Sequence, residues 1–229
     1  MPNLIWKEWR EQRWKLGFGC VVLAATAYIG LHARMIADEA MLKWVCALGF
    51  LLPVLSATGL VPAERAEGTL ESLLALPVTP WRILLSKTLM GLLLCAGPMA
   101  AAAAVSVMLA GGREMTSDDM IVFYVRATLA TLALFIWTTA LTIHLPNETR
   151  AGLLGLGVLM FWVMATAALA FPPIPWPALA ISPLSFVFKS DQPQYQPPLI
   201  GMAMIQAVVT AALWIWASTR LATGAEEKS

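Results

Sequence analysis

Residues Met120–Ile143 read MIVFYVRATLATLALFIWTTALTI, a run of 24 residues with a single charged side chain, Arg126. As a helix rising 1.5 Å per residue, this run is ~36 Å long, which is enough to cross the ~30 Å hydrocarbon core of a bilayer. Lipid offers no hydrogen-bond partner to the backbone, and the run lacks the apolar–polar alternation of a barrel strand. The sequence therefore predicts a membrane-spanning helix here.

Five further runs on either side are also long and apolar enough to cross a bilayer. Apolar residues make up 59% of the 229 residues and charged residues 13%, against ~25% charged residues in soluble domains. We therefore predict an all-α, polytopic membrane protein with six transmembrane helices in one domain, residues 16–229. The predicted spans are Leu16–Met35, Trp44–Pro62, Ile83–Ala110, Met120–Ile143, Gly152–Phe171 and Leu199–Thr219.

The distribution of Lys and Arg predicts the orientation. With the N-terminus inside, ten of these residues fall in inner segments and four in outer segments. Because inner loops of membrane proteins are enriched in Lys and Arg, we expect both termini to be cytoplasmic. The expected location is the inner membrane of a prokaryote, with multiple passes. A net charge of +1 gives no basic surface for nucleic acid, so a nucleic-acid partner is not expected.

Residues 1–15 combine three tryptophans, Trp6, Trp9 and Trp14, with four Lys or Arg residues. At 100° per residue, Ile5, Trp6, Trp9 and Leu16 lie within one arc of ~100°. Indole rings favour the headgroup region and cations favour anionic lipid. The segment therefore predicts an interfacial amphipathic helix that lies on the inner leaflet and leads into the first span. A plain positively charged anchor is the alternative.

The cytoplasmic loop 63–82 joins the second and third spans and contains the stretch ERAEGTLESLLALP, residues 64–77. Leu70, Leu73 and Leu74 recur at i, i+3 and i+4 and give one apolar face, beside three glutamates. Pro77 ends the pattern, and Thr79-Pro80 supplies an N-cap and a first-turn proline for the next helix. The loop therefore predicts a short amphipathic helix that could receive force from a cytosolic partner.

The same loop resembles a segment of a known family. The string Glu64-Arg65-x-x-Gly68-Thr69-Leu70-Glu71-x-Leu73-Leu74-x-x-Pro77-Val78, followed by Ile83-Leu84-x-x-Lys87, is similar to the region after the second span of type 2 ABC export permeases. In that family a coupling helix lies there and docks on a separate ATPase subunit. The resemblance implies a coupling element over Gly68–Glu71. The implied ATPase contacts are Glu64, Glu67, Gly68, Thr69, Leu70, Glu71 and Leu74.

The sequence contains no Gly-x-x-x-x-Gly-Lys-[Ser/Thr] phosphate loop, so we do not expect this chain to hydrolyse ATP. The resemblance implies that ATP and Mg²⁺ bind a cytosolic ABC ATPase subunit and that a second permease copy, identical or related, completes the transporter. We expect no cofactor, catalytic residue or metal site in this chain. His32 and His144 stand alone, without the neighbouring ligands that a metal site needs.

Three further features have alternative interpretations. Lys87 lies ~6 Å inside the third span, and we expect its side chain to snorkel to the headgroups. Arg126 lies ~9 Å inside the fourth span, where it either extends outward toward Asp118 and Asp119 or lines a substrate path. The outer segment 172–198 is rich in proline and apolar residues. It either re-enters the membrane, as the resemblance implies, or forms a surface loop.

The sequence thus predicts the transmembrane permease subunit of an ATP-driven ABC exporter. A haem-export-type permease of cytochrome c maturation has similar length and a related loop. A membrane scaffold or regulator that binds a cytosolic protein without transport is the alternative from another class. The sequence does not specify the cargo, the direction of transport, or whether the dimer is homomeric.

Overall fold

The computed structural model describes residues 2–33, 38–68, 80–110, 116–169, 179–187 and 198–226. In these ranges the chain is helical, with no strand. The α-helices are α1 (Pro2–Ala33), α2 (Asp38–Gly49), α3 (Leu51–Thr58), α4 (Pro62–Ala66), α5 (Pro80–Met108), α6 (Ser117–Thr142), α7 (Glu148–Leu169) and α8 (Leu199–Glu226), with a 3₁₀ helix at Pro183–Val187.

Six stretches of the described chain are long and apolar enough to cross a membrane, which confirms the predicted all-α, six-span architecture. The stretches are Ile5–His32, Ala40–Ala66, Trp81–Met108, Ser117–Thr142, Glu148–Ala168 and Leu199–Thr219. The ion pairs of Lys87 with Glu8 and Glu64 bring the start of α1, the end of α4 and the start of α5 together at one end of the bundle. We call this the loop end, because loop 63–82 begins and finishes there.

The second span is divided into α2, α3 and α4 rather than being one rod. The breaks fall at Phe50 and at Gly59–Val61. Pro53 has no N–H to donate to the Gly49 carbonyl, and Pro62 has none for the Thr58 carbonyl. The helix therefore loses a hydrogen bond one turn before each proline, and α2 and α3 end at those two positions.

The first helix is continuous from Pro2 to Ala33, so the predicted boundary at residue 15 is not a break in the helix. Its first turns present a polar face to the bundle: Glu8 is 4% exposed and Gln12, one turn later, is 6% exposed. Trp6 and Trp14 are 65% and 76% exposed on the outside. The indole rings of Trp6 and Trp14 thus face the surroundings, while the Glu8 carboxylate and the Gln12 amide face inward. Where this segment lies relative to the bilayer stays a prediction.

The described part of the outer segment lies between the spans. The side chains of Leu184 and Phe186 are buried, and Phe186 packs in a cluster with Ala130 and Met202. Ala130 is thirteen residues into α6, ~20 Å along that helix. The hydroxyl groups of Ser182 and Thr166 are hydrogen bonded at 2.6 Å, which ties the segment to α7. Whether the outer segment 172–198 re-enters the membrane stays a prediction.

Candidate functional site

A buried ionic cluster joins three helices at the loop end. The Lys87 ammonium of α5 lies 2.8 Å from Glu8 Oε1 of α1 and 2.8 Å from Glu64 Oε1 of α4. Lys7 Nζ, at the solvent-exposed rim of the cluster, lies 3.6 Å from Glu64 Oε1. We call Glu8, Glu64, Lys87 and Lys7 the Lys87 cluster. It links the N-terminal helix to both chain segments that border loop 63–82.

The expectation that Lys87 snorkels to the headgroups is wrong. Lys87 is only 2% exposed, and its ammonium group donates a hydrogen bond to Glu8 Oε1. A buried ammonium is costly unless it is paired and hydrogen bonded. Here two carboxylates from two other helices supply that pairing inside the bundle, so the long side chain has no need to extend to water.

The local structure explains how the three groups meet. Lys87 lies seven residues after the start of α5, about two turns into the bundle. Glu8 is on the inward-facing side of α1, and α1 packs extensively against α5. Glu64 lies in the short helix α4, whose first residue, Pro62, restarts the chain after the break in the second span. The break before Pro62 thus places Glu64 next to Lys87 of α5.

The formal charges of the cluster balance, since it contains two carboxylates and two ammonium groups. The balance is uneven in space: Glu8 and Glu64 are 4% and 8% exposed, whereas Lys7 is half-buried at the rim. Lys87 is therefore the buried cation that pairs with both carboxylates. Loss of one partner from a buried ion pair is far more damaging than loss of an exposed one.

The predicted coupling residues divide into three groups. Glu64 lies inside the bundle end, paired with Lys87. Glu67 and Gly68 are exposed beyond the end of α4. Thr69, Leu70, Glu71 and Leu74 lie outside the described residues, so their predicted contacts stay predictions.

Gly68 has a backbone geometry that explains its residue type. Its φ is +71°, in the left-handed region, and its N–H donates to the Arg65 carbonyl at 3.3 Å. A left-handed glycine just after a helix is a common helix stop, because other residues pay a steric cost there. A Cβ added at Gly68 would meet no atom within 4 Å. Gly68 is therefore constrained by its backbone alone, and it sets the direction in which the loop leaves α4.

A second contact ties α4 to the opposite side of the loop end. Arg65 Nη1 donates a hydrogen bond of 2.9 Å to the backbone carbonyl of His144, in the turn between α6 and α7. The His144 ring in turn stacks edge-on against Trp216 of α8, with centroids 5.3 Å apart. Together, Glu64 and Arg65 connect the five-residue helix α4 to α1, α5, the α6–α7 turn and α8.

Arg126, the candidate for a substrate path, is half-buried in α6. Within the described ranges it forms no ion pair with Asp118 or Asp119, and its Nε is buried without a hydrogen-bond partner. Asp119 is instead part of a capping box, in which its backbone N–H donates to Thr116 Oγ1 at 3.2 Å. The described residues therefore give no ion pair that would draw the Arg126 side chain outward. Its place on a substrate path stays a prediction.

Sequence reasoning missed the roles of Glu8, Arg65 and the inward-facing Lys87. One signal was present: Glu8 and Gln12, spaced i and i+4, form a polar stripe on a helix rich in tryptophan. Such a stripe can face either water or a buried partner. The partners of Glu8 and Glu64 could not be identified from the sequence, because Glu8 and Lys87 are 79 positions apart in the chain.

Comparison with known proteins adds one match. A family model described as ABC-2 family transporter protein matches residues 5–166. The matched range begins in α1 and ends near the end of α7, so it includes the whole Lys87 cluster and loop 63–82, while the 3₁₀ helix and α8 lie outside it. No curated protein matches the chain.

Proposed function

Since this chain belongs to the ABC-2 family of transporter proteins, we propose that it is the permease subunit of an ATP-driven exporter. Its six apolar helices make it an integral, multi-pass membrane protein. In the proposed assembly both termini and loop 63–82 are cytoplasmic, as the excess of Lys and Arg at that end favours. The membrane would be the inner membrane of a prokaryote.

The energy source in this proposal is another polypeptide. The absence of a phosphate-loop motif from the sequence supports a separate ABC ATPase subunit that binds ATP and Mg²⁺. A second copy of this chain, or a related permease, would complete the transport path. The chain itself would contribute the spans and the loop that contacts the ATPase.

The geometry of α4 is the observation that favours a coupling role for the loop. This helix carries the start of the loop and contacts α1 and α5 through the ion pairs of Glu64 with Lys7 and Lys87, and the α6–α7 turn through Arg65. Because ion pairs and hydrogen bonds fix their partners at defined distances, a displacement of α4 would be passed to several spans. Glu64 then anchors the loop, while Glu67, Gly68, Thr69, Leu70, Glu71 and Leu74 are left to contact the ATPase.

Photocrosslinking in cells tests the proposed partner. A photoreactive amino acid at position 71 should crosslink to a soluble polypeptide that contains the phosphate-loop motif, whereas the same group at Asp118, at the other end of the bundle, should not. Glu71→Arg should abolish the complex, because it reverses a charge in the proposed contact. The purified complex in vesicles should show ATP-stimulated flux.

Two results would contradict the proposal. A crosslinked partner without a phosphate loop would favour the scaffold alternative, since such a partner could not drive transport. Labelling of position 71 by a reagent that cannot cross the membrane of intact cells would place the loop on the outer side, where no cytosolic ATPase could reach it.

Gly68 offers a prediction about loop direction. Gly68→Val should weaken the affinity for the ATPase subunit about tenfold, since a left-handed conformation costs an L-residue roughly 1–2 kcal/mol and each ~1.4 kcal/mol is a factor of ten. Gly68→Asn is the matched control, because asparagine tolerates this conformation, and it should bind nearly as the parent does. Titration of the purified ATPase onto vesicles containing each variant measures the difference. Equal affinities of the two variants would show that the backbone at Gly68 does not direct the contact.

A further inference from the structure

A lateral groove of about 550 Å³ lies between α5, α6 and α8. Its walls are almost entirely hydrocarbon, with Leu85 and Leu92 on α5 and Leu129, Leu132 and Ile136 on α6. The volume is in the range of ~300–1,000 Å³ typical of small-molecule sites. The groove shares no lining residue with the Lys87 cluster.

The side of the groove formed by α8 is built from small residues. Ala203, Ala207 and Ala211 follow at every fourth position and all line the groove. Residues four apart lie on one face of a helix. In membrane proteins such a stripe usually allows close approach of a neighbour. Here the stripe borders open space instead, so the described chain leaves its apolar surface uncovered.

The groove is as deep as one leaflet. Along α5 it extends from Trp81 to Leu92, and along α8 from Trp214 to Ala203. Eleven steps of 1.5 Å correspond to ~16 Å, about half of the ~30 Å hydrocarbon core. The groove therefore begins at the loop end of the bundle and finishes near its middle.

Both ends of the groove are defined by fixed side chains. At the loop end, Trp81 and Trp214 stack edge-on with centroids 4.4 Å apart, and Trp214 Nε1 donates to Thr88 Oγ1 at 3.4 Å. Away from the loop end, the buried ring of Phe186 lines the groove beside Ala203. Gln206 Nε2 holds the segment before the 3₁₀ helix in place, with 2.8 Å hydrogen bonds to two backbone carbonyls.

We propose that this groove binds one acyl chain of a phospholipid from the leaflet at the loop end. The hydrocarbon lining suits a chain without polar groups, since a polar ligand would lose its hydrogen bonds with water and find few partners. The indole pair lies where tryptophan favours the headgroup region. A membrane-spanning helix of another chain would extend over ~30 Å, about twice the length of the groove. The depth of one leaflet therefore favours a lipid chain.

Lipid retention by the purified protein tests this inference independently of the proposed transport function. The full chain is extracted in mild detergent from membranes of phosphatidylethanolamine and phosphatidylglycerol, and the phospholipid that remains bound is measured by mass spectrometry. Ala207→Trp fills the groove and should cause loss of the retained phospholipid. Val208→Trp is the matched control, because Val208 is the next residue on α8, is 71% exposed and does not line the groove. It should retain lipid as the parent does.

A second variant guards against misfolding, since a tryptophan inside the bundle can disturb packing. Ala203→Leu adds less volume, at the end of the groove away from the loop end, and should shorten the groove. We expect partial loss of retained lipid and an unchanged elution volume in size-exclusion chromatography. Equal lipid retention by the Ala207→Trp and Val208→Trp proteins would overturn the proposal. Efficient disulfide crosslinking of Ala207→Cys to a second copy of this chain would also overturn it, because the groove would then be a protein interface.

Discussion

Replacing Lys87 by methionine should lower the free energy of unfolding by about 3–5 kcal/mol, the range seen when one partner of a buried ion pair is removed. Methionine keeps most of the side-chain volume, so the loss should reflect charge rather than a cavity. Glu8 and Glu64 would remain buried, at 4% and 8% exposure, without the ammonium that lies 2.8 Å from each of them.

Thermal unfolding in detergent, followed by the loss of the monodisperse peak in size-exclusion chromatography, measures the effect. Arg82→Met is the matched control, because Arg82 is an exposed cation five residues earlier in the same helix. Its replacement should change the stability by no more than about 0.5 kcal/mol. Unfolding of the Lys87→Met protein at the same temperature as the Arg82→Met protein would show that the buried cluster does not stabilise the bundle.

A triple variant separates the stability of the cluster from its proposed role in transport. Combining Glu8→Leu and Glu64→Leu with Lys87→Met removes the three buried charges of the Lys87 cluster, and apolar replacements of buried ion networks often preserve stability. We expect the triple variant to regain most of the stability that Lys87→Met loses. If the cluster also passes motion from α4 to the spans, ATP-stimulated flux should stay low despite the restored fold. Recovery of both properties would assign the cluster a structural role alone.

Replacing Gly91 by alanine should destabilise the protein by about 1–3 kcal/mol, the usual cost of overpacking a core. A Cβ at Gly91 would overlap the ring of Phe135, where α5 and α6 approach closely. Phe135 is fully buried and lies in a cluster with Leu84 and Cys95, so its ring has no free space into which it can move.

Gly157→Ala is the control for Gly91, since a Cβ at Gly157 would meet no atom within 4 Å. Both glycines lie inside helices, and alanine favours a helix over glycine by roughly 0.5–1 kcal/mol. We therefore expect opposite signs: a lower unfolding temperature for Gly91→Ala and an unchanged or higher one for Gly157→Ala. A stabilising effect at both positions would mean that α5 and α6 do not approach each other as closely as described.

The spans could be predicted from the sequence because their physical requirement is local. A bilayer demands ~20 consecutive apolar residues, and such a run is visible without knowledge of any neighbour. All six predicted spans have a counterpart in the described helices. The breaks in the second span at Phe50 and at Gly59–Val61 were not predicted, although each lies one turn before a proline that is visible in the sequence.

The ion pairs at the loop end were less predictable, since they depend on contacts between distant parts of the chain. Lys87 has an apolar stem and a charged head, which suits both snorkelling and a buried ion pair. The choice depends on whether carboxylates from other helices reach it, and Glu8 and Glu64 do so only once α1, α4 and α5 are packed. The coupling residues beyond Gly68 were inferred from a family resemblance, and their contacts stay predictions.

The divided second span has a mechanical consequence for the proposed transport cycle. An unbroken rod carries a push along its axis, but a rod with joints at Phe50 and at Gly59–Val61 bends instead. Pressure on the five residues of α4 would therefore be diverted sideways into its neighbours, through the salt bridge to Lys87 and the hydrogen bond from Arg65. The far half of that span, α2, could stay still while the near half tilts.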